Sequence, residues 1–399
     1  MMKRKIFPAL ISVILISACT AQNQDDAEST RAQEAYNSQN YAEALVLLEP
    51  MAEKGDATAQ MLMGDMFAKG QGVEPNVAKA AEWTQKAAKS GLKEAQYTLG
   101  MAHIGGQGVT QDYAKAFEWL KKSADQKYAK AQFQIGLMLE SGAGTDKNMD
   151  EALSYITQAA EQDHFEAQNA LGMIYLASEE IAQDRDKAFE WLTRAANGGH
   201  KSAQYLVGFS KVQNEPSPQD LEQGIVYLQK SAGQGFEKAQ MVMGFLYFHG
   251  KGVEKDEAKA ADLYYNAAEQ GNEEAAERFA RIAEDNGNPE DFWKLGKLYA
   301  GGVGLKQDDE KASALYLSAA ERGLAQAQYA IGRAFGTGRG VEQDYVKAHM
   351  WSNLSAAGGV EEAIKERAVY SQLMTPEQIA EAQKMARDWT ARQDISDNE

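Results

Sequence analysis

A glycine recurs every 36 residues, at Gly64, Gly100, Gly136, Gly172, Gly208 and Gly244, and after one interruption at Gly296 and Gly332. A sequence with this period is an array of one small unit whose copies bury their apolar faces against their neighbours. Length alone would suggest two or three ordinary domains for 399 residues, but the period replaces that expectation with one elongated solenoid. Each copy reads approximately Ala-Gln-x-x-Leu-Gly-x-x-Tyr, then Gly-x-Gly-Val, then Lys-Ala-x-x-Trp-x-x-x-Ala-Ala. Ala95 to Gly100, Gly106 to Val109 and Lys115 to Trp119 are one example.

Within a copy the apolar positions lie three and four apart, with no alternation of period two. Gly-rich or Asp/Asn-containing breaks separate two runs of about 13 residues. Each unit is therefore expected to be a hairpin of helices, A then B. With the glycine as position zero, helix A carries alanine at −5, an aliphatic residue at −1 and mostly an aromatic at +3, one stripe at 100° per residue that should pack on helix B. A glycine inside a helix costs about 1 kcal/mol relative to alanine. Its recurrence makes sense if a neighbouring helix comes too close for a Cβ. On helix B the Trp83, Trp119, Tyr155, Trp191 and Tyr227 series and the pairs such as Ala87-Ala88 and Ala159-Ala160 are expected to be the matching surface.

These motifs resemble the Sel1-like repeat, a relative of the tetratricopeptide repeat with a slightly longer period, over roughly residues 56 to 370. The resemblance implies an all-α fold, a superhelical α/α solenoid of Sel1-like, tetratricopeptide-like hairpins with a concave face, and a usual role as a protein-binding scaffold. Some Sel1-like proteins with penicillin-binding or penicillin-hydrolysing activity carry a cysteine pair in each repeat. This sequence has a single cysteine, so that activity is not carried over.

The departures from the pattern set the expected organisation. Residues 1–18 read as an export signal, with Lys3-Arg4-Lys5 before an apolar run from Ile6 to Ile16 and small residues up to Cys19. That run is about half of what a membrane-spanning helix needs. The segment resembles a bacterial lipoprotein signal, which implies a diacylated Cys19 as the mature N-terminus. Thr20 in place of an aspartate then implies the outer membrane, with the body facing the periplasm. An uncleaved anchor, with Met1 retained and no lipid, is the alternative, and a secreted or periplasmic location goes with processing without lipid. Residues 19–26 read as a tether. Residues 27–54 lack the glycine and read as a tetratricopeptide-like capping hairpin around Asn40 to Leu45. Sel1-like repeats are expected over 55–271 and 302–370.

Between them, 272–301 is an irregular, truncated repeat. Ala280 stands where register calls for glycine, and helix 272–285 should run into helix 289–301 through Asn286-Gly287-Asn288-Pro289, with a helix B missing. That makes a kink or a boundary between two sub-arrays. The loops after Ala177 and Val212 lose the Gly-x-Gly pattern. Residues 371–399 form a C-terminal capping helix, from Thr375-Pro376-Glu377 to about Arg392, and a tail.

Composition narrows the function classes. Removing Lys3, Arg4 and Lys5 with the signal takes the 41 basic residues to 38 against 58 acidic ones, a net charge near −20 that repels nucleic acid and anionic lipid. With Cys19 acylated the body holds no disulfide. The Gly-x-Gly-Val elements follow a helix and lack a Gly-Lys-Ser/Thr ending, so they read as helix stops and not phosphate loops. His103 holds the aromatic +3 position and reads as core. His164 and His200 share position −8, where Leu92, Tyr128, Phe236 and Leu324 stand in other copies, which favours local packing over metal binding. No nucleophile–base arrangement is legible, and the protein reads as non-enzymatic, with no cofactor and no metal.

The functional signal lies opposite the core stripe of helix A, where positions −3, +1 and +4 are also apolar. A helix that is apolar all round is buried on both sides or lines a recognition groove. The groove candidates are Tyr97, Met101, Phe133, Leu137, Met173, Tyr205, Phe209, Met241 and Phe245. About half of this face is expected to be buried between repeats. The rest, above all Tyr97, Phe133, Tyr205 and Phe245, is expected to hold a protein, peptide or partner helix. An interaction scaffold follows. The alternatives are a cell-wall or polysaccharide-associated enzyme or glycan-binding protein, with a carboxylate-lined pocket near 280–296, and a secreted effector.

Overall fold

The computed structural model describes residues 27–177 and 182–396, with side chains to residue 392. Cys19, the signal, the tether and the loop from Ser178 to Ile181 lie outside the described residues. The protein is an α/α solenoid that divides into two compact units, residues 1–198 and 199–399. The first holds α1 (27–37), α2 (Tyr41–Glu53), α3 (Ala57–Lys69), α4 (Val77–Lys89), α5 (Lys93–Gly105), α6 (Tyr113–Asp125), α7 (Ala129–Ser141), α8 (Met149–Glu161), α9 (Phe165–Ala177) and α10 (Arg185–Asn197). The second holds α11 (Lys201–Val212), α12 (Pro218–Gly233), α13 (Glu237–His249), α14 (Glu257–Ala268), α15 (Glu273–Asn286), α16 (Pro289–Gly301), α17 (Asp309–Glu321), α18 (Ala325–Thr337), α19 (Tyr345–Ala357), α20 (Glu361–Gln372) and α21 (Pro376–Ser396).

The recurring glycine is a packing device. A Cβ on Gly100 would stand 2.6 Å from Leu120 Cγ, one on Gly136 2.5 Å from Ile156 Cγ1, and one on Gly172 2.6 Å from Leu192 Cγ. In each case the obstacle is the buried residue twenty positions on, in helix B of the same hairpin. The aromatic series expected there lies one residue earlier, which is 100° around the helix. Trp83, Trp119 and Trp191 are accordingly half-buried, and each is covered by a cation three residues on: Lys86 at 3.7 Å, Lys122 at 4.2 Å and Arg194 at 4.6 Å from the ring centre.

Local polar chemistry sets the turn between the helices. Asn76, Asp112, Asn148, Asp184, Asp256, Asp308 and Asp344 each cap a helix B, the side chain accepting from the N–H three residues on. The N–H of the same residue donates to the carbonyl of the +3 residue of helix A, at 2.8–3.0 Å, which locks the hairpin angle. The loop's second glycine fixes each hairpin to the one before. A Cβ on Gly108 would lie 2.1 Å from the Val77 carbonyl oxygen, and one on Gly144 2.2 Å from that of Tyr113, the first residues of the preceding B helices.

A buried glutamine at position −4 joins three helices. Nε2 of Gln60, Gln96, Gln168 and Gln328 donates to the carbonyl eight residues upstream, on Ala52, Ala88, Ala160 and Ala320, at 3.0–3.3 Å. These carbonyls end the helix B of the previous hairpin, where each also accepts from the turn N–H three residues on, at 3.0–3.2 Å. The glutamine's oxygen accepts from a second amide just past the next helix B: Gln126 to Gln96 at 2.8 Å, Gln234 to Gln204 at 2.8 Å, and Gln270 to Gln240 at 2.9 Å. Ser123, Ser231 and Ser355 add hydroxyl donors to the first-turn carbonyls of Lys93, Lys201 and Ala325 at 2.7 Å.

In the second unit α15 has no helix B. It runs into α16 through Gly287, at φ +61°, and Asn288, which caps α16 by accepting from the Glu290 N–H. α15 packs mainly on α14, with Phe279 fully buried and 5.3 Å from Tyr265. At the other end α19 is buried among α18, α20 and α21, and Trp351 meets Trp389 edge-on at 6.0 Å. Thr375 and Gln378 cap α21 reciprocally, and α21 continues past Arg392 to Ser396.

The two kinds of partner at the glycine predict a contrast. Gly100→Ala forces Leu120 aside and should lower stability by about 1–2 kcal/mol, overpacking outweighing the helix-propensity gain. Gly332→Ala meets only the small Ser352 hydroxyl at 3.1 Å and should stay within about 0.5 kcal/mol of wild type. Thermal unfolding of the two variants checks this, and equal stabilities would contradict the packing account.

Candidate functional site

Five of the nine groove candidates lie in the first unit, Tyr97 and Met101 on α5, Phe133 and Leu137 on α7, and Met173 on α9. Four lie in the second, Tyr205 and Phe209 on α11 and Met241 and Phe245 on α13. Eight are half-buried and Met173 is 40% exposed, so nearly the whole face is partly covered, where burial between repeats was expected for about half of it. The reason is a seam between successive A helices. The ring at −3 packs against the residue at −8 of the next copy, with Tyr97 edge-on to Tyr128 at 5.5 Å, Phe133 against His164 at 5.2 Å and Tyr205 against Phe236 at 5.3 Å. Each ring is covered on one flank by this contact. Burial raises the Tyr97 and Tyr205 pKa values above the usual phenol range, with Glu166 adding to the shift at Tyr97.

In the second unit the four candidates converge. Tyr205, Phe209, Met241 and Phe245, with Val212, Val242 and Leu246, line a cavity of about 520 Å³ whose remaining wall is Gln213, Lys238, Lys251, Asn272, Glu274 and Arg278. Tyr205 stacks on Phe209 at 5.4 Å, and the Lys251 ammonium sits 5.8 Å from the Phe245 ring centre. The volume and the apolar lining with a few polar groups are those of a binding site for bulky side chains.

A larger cavity, about 630 Å³, lies between α16, α17, α18 and the start of α20, lined by Trp293, Tyr316, Tyr329, Lys297, Arg333 and Arg339 among others. Residue spacing did not point to it, although Trp293 and Tyr329 hold the same −3 position as the candidates named. Lys297 and Arg333 hold its +1 positions, where the candidates of the other copies are apolar. Lys297 is in fact engaged by Tyr265 at 2.7 Å and Glu269 at 3.1 Å, Arg333 by Glu366 at 3.0 Å and Arg339 by Asp309 at 3.2 Å. Burial pushes the Tyr316 phenol up to about 12 and raises the Glu366 carboxyl despite Arg333 beside it.

The histidines serve the fold. His103 is buried, with Nδ1 3.1 Å from the Thr110 carbonyl oxygen, and His164 and His200 cap their A helices, Nδ1 accepting from the Ala167 and Ala203 N–H groups at 3.3 Å. Among the described residues no group of three or more His, Cys, Asp or Glu could hold a metal ion, and no helix is long and apolar enough to cross a membrane.

Comparison with known families turns the repeat into an identification. The model of the Sel1 repeat matches residues 38–56, 57–92, 93–128, 129–164, 165–200, 201–236, 237–272, 293–324 and 325–360. The chain belongs to the Sel1-repeat family. The first Sel1 match begins inside the hairpin read as a separate cap, and the unmatched stretch 273–292 contains α15. The fold is similar to that of a protective antigen present in uropathogenic Escherichia coli strains, which displays an SLR fold. That protein is 26% identical, with a TM-score of 0.56 over 92% of this chain and 84% of that one. It is also similar to a Sel1 repeat protein from Oxalobacter formigenes, 28% identical, with a TM-score of 0.53 over 60% of this chain and 96% of that one. A comparison with curated proteins gives no match.

The seam carries a pH prediction. Burial holds the His164 pKa below its ordinary 6.5, against the opposing charge of Glu166. The unfolded state therefore takes up the proton first, so the stability of the neutral, capping ring is complete above about pH 6.5 and is lost as pH falls through the lower folded value. In urea unfolding the stability of wild type relative to His164→Asn should fall between about pH 7 and pH 5; a constant difference would count against it.

Proposed function

We propose that this Sel1-repeat protein is a non-enzymatic interaction scaffold that holds a peptide segment or partner helix on its A-helix face. The observation that carries the reading is the cavity lined by Tyr205, Phe209, Met241 and Phe245, in which Tyr205 is held between Phe209 and the seam residue Phe236. Rings already ordered by the fold lose little freedom on binding, which is what makes such a face useful for recognition. Membership of a family whose repeats generally mediate protein–protein contact supports the same reading. We further propose that Cys19 carries the lipid of an outer-membrane lipoprotein whose repeats face the periplasm. The N-terminal sequence supports this, since two or more acyl groups anchor stably where one does not.

The glycan or cell-wall alternative calls for free, clustered carboxylates at the 280–296 break. There Asp291 is buried and takes a hydrogen bond from Asn286, while Lys294 engages both Asp262 and Glu290. The protein-binding reading is the stronger one.

Phe209→Ser and Phe245→Ser should keep the far-UV helical signal, since both side chains are only half-buried, and cost at most about 2 kcal/mol each. Crosslinking in the native envelope with mass spectrometry should find the wild-type partner reduced at least tenfold in both. Undiminished crosslinking would sink the groove reading. For the anchor, the intact mass of the mature protein should correspond to an acylated N-terminal Cys19, and Cys19→Ala should remain unprocessed. An N-terminus at Met1 without lipid would replace this with an uncleaved anchor, and lipid-free processing would point to a secreted protein.

A further inference from the structure

The absence of a helix B after α15 leaves a second, smaller recess beside the aromatic cavity. In the register of Ala280, positions −2, +1, +2 and +5 of α15 place Arg278, Arg281, Ile282 and Asp285 against α13 and α14. Together with Phe248 and Tyr264 they line a cavity of about 260 Å³. Arg278 lines both this recess and the 520 Å³ cavity, so the two share a wall.

The chemistry of the recess points to a ligand. Tyr264 is only 2% exposed, and its hydroxyl makes no hydrogen bond among the described residues. That hydroxyl is closed to solvent and lies beside the Arg278 guanidinium, so a ligand entering the recess meets the guanidinium and not the phenol. Arg278 also donates from Nε and Nη2 to one oxygen of Glu274, at 3.0 and 2.7 Å. Arg281 makes only a long 3.5 Å contact to the Glu277 carbonyl oxygen. Across the two linings Lys238, Lys251, Arg278 and Arg281 outnumber Glu274 and Asp285, on a protein of net charge −17. A local excess of cations against so acidic a background selects an anion. Planar guanidinium forks suit a carboxylate, and Asp285 and Glu274 in the walls disfavour a doubly charged group.

Resting on the scaffold reading above, we infer that the segment bound here carries a carboxylate beside a bulky apolar side chain. The apolar side chain enters the cavity of Tyr205, Phe209, Met241 and Phe245, and the carboxylate is held by Arg278 and Arg281. An aspartate or glutamate within the segment and a free carboxyl terminus supply the same group.

The test is an array of immobilised octapeptides, each with one tryptophan, phenylalanine or leucine anchor. Four series carry aspartate next to the anchor, asparagine there, a free C-terminal carboxylate directly after it, or the corresponding amide. The full-length protein should be retained at least tenfold better by one of the carboxylate series than by its neutral counterpart, and which one identifies the source. Arg281→Gln should abolish that preference while leaving the dependence on the anchor. Anchor-dependent retention with no carboxylate preference, or with a preference that Arg281→Gln does not change, overturns the inference and leaves the scaffold reading standing. Retention that is no different between anchors and unchanged by Phe245→Ser overturns both.

Discussion

The contact on which the stacking depends is a side-chain amide. Apolar packing between alanine-rich helices is non-directional and tolerates slippage, whereas the glutamine at position −4 meets a carbonyl at the end of the previous helix B and, as at Gln96, an amide just past the next one. A hydrocarbon side chain of similar size would fill the space and give up these directional bonds, at a cost of about 0.5–1.5 kcal/mol each. The same residue therefore ties successive hairpins together, as a second donor to carbonyls that the turn N–H already engages.

Once the −5, −4, −1 and zero positions are committed to the hairpin and its neighbours, the −3 and +1 positions face the only surface left on helix A. Their rings cannot be buried completely, because the next A helix covers just one flank, through its −8 residue. That geometry makes a row of half-covered aromatic rings an automatic product of the repeat. Where the row is regular the rings cover one another, and where an element is missing the space opens, as it does beside α15.

The period, the two-helix unit, the close approach at the glycine and the second apolar face could all be read from residue spacing, since each depends on positions within one copy. What escaped depends on pairs in different copies or on small rotations. The partner of Gly100 is Leu120 and not Trp119, a difference of one residue that no stripe of apolar positions resolves. The Ala-Gln pair was visible in every glycine-bearing copy but that of Gly296, yet a polar residue on a core stripe gives no hint that its acceptor lies eight residues upstream. The larger cavity of the second unit was hidden because charged Lys297 and Arg333 stand at its +1 positions, and the carboxylates that neutralise them, Glu269 and Glu366, lie 28 and 33 residues away. The gap after Ala280 was readable from register. The meeting of Arg278, Arg281 and Tyr264 in one recess was not.

The second glycine of the loop also bears on how such an array changes over time. With the backbone at Gly108 or Gly144 pressed onto a carbonyl of the preceding hairpin, that edge has no room for a side group, let alone for added residues. Insertions are confined to connections that have given up the motif, such as 213–217, where Asn214 and Glu215 take up the left-handed backbone themselves. Growth by whole units keeps every loop closed. A lineage that needs a new surface has two routes left, to lengthen one of the few open connections or to lose part of a unit, and α15 shows the second.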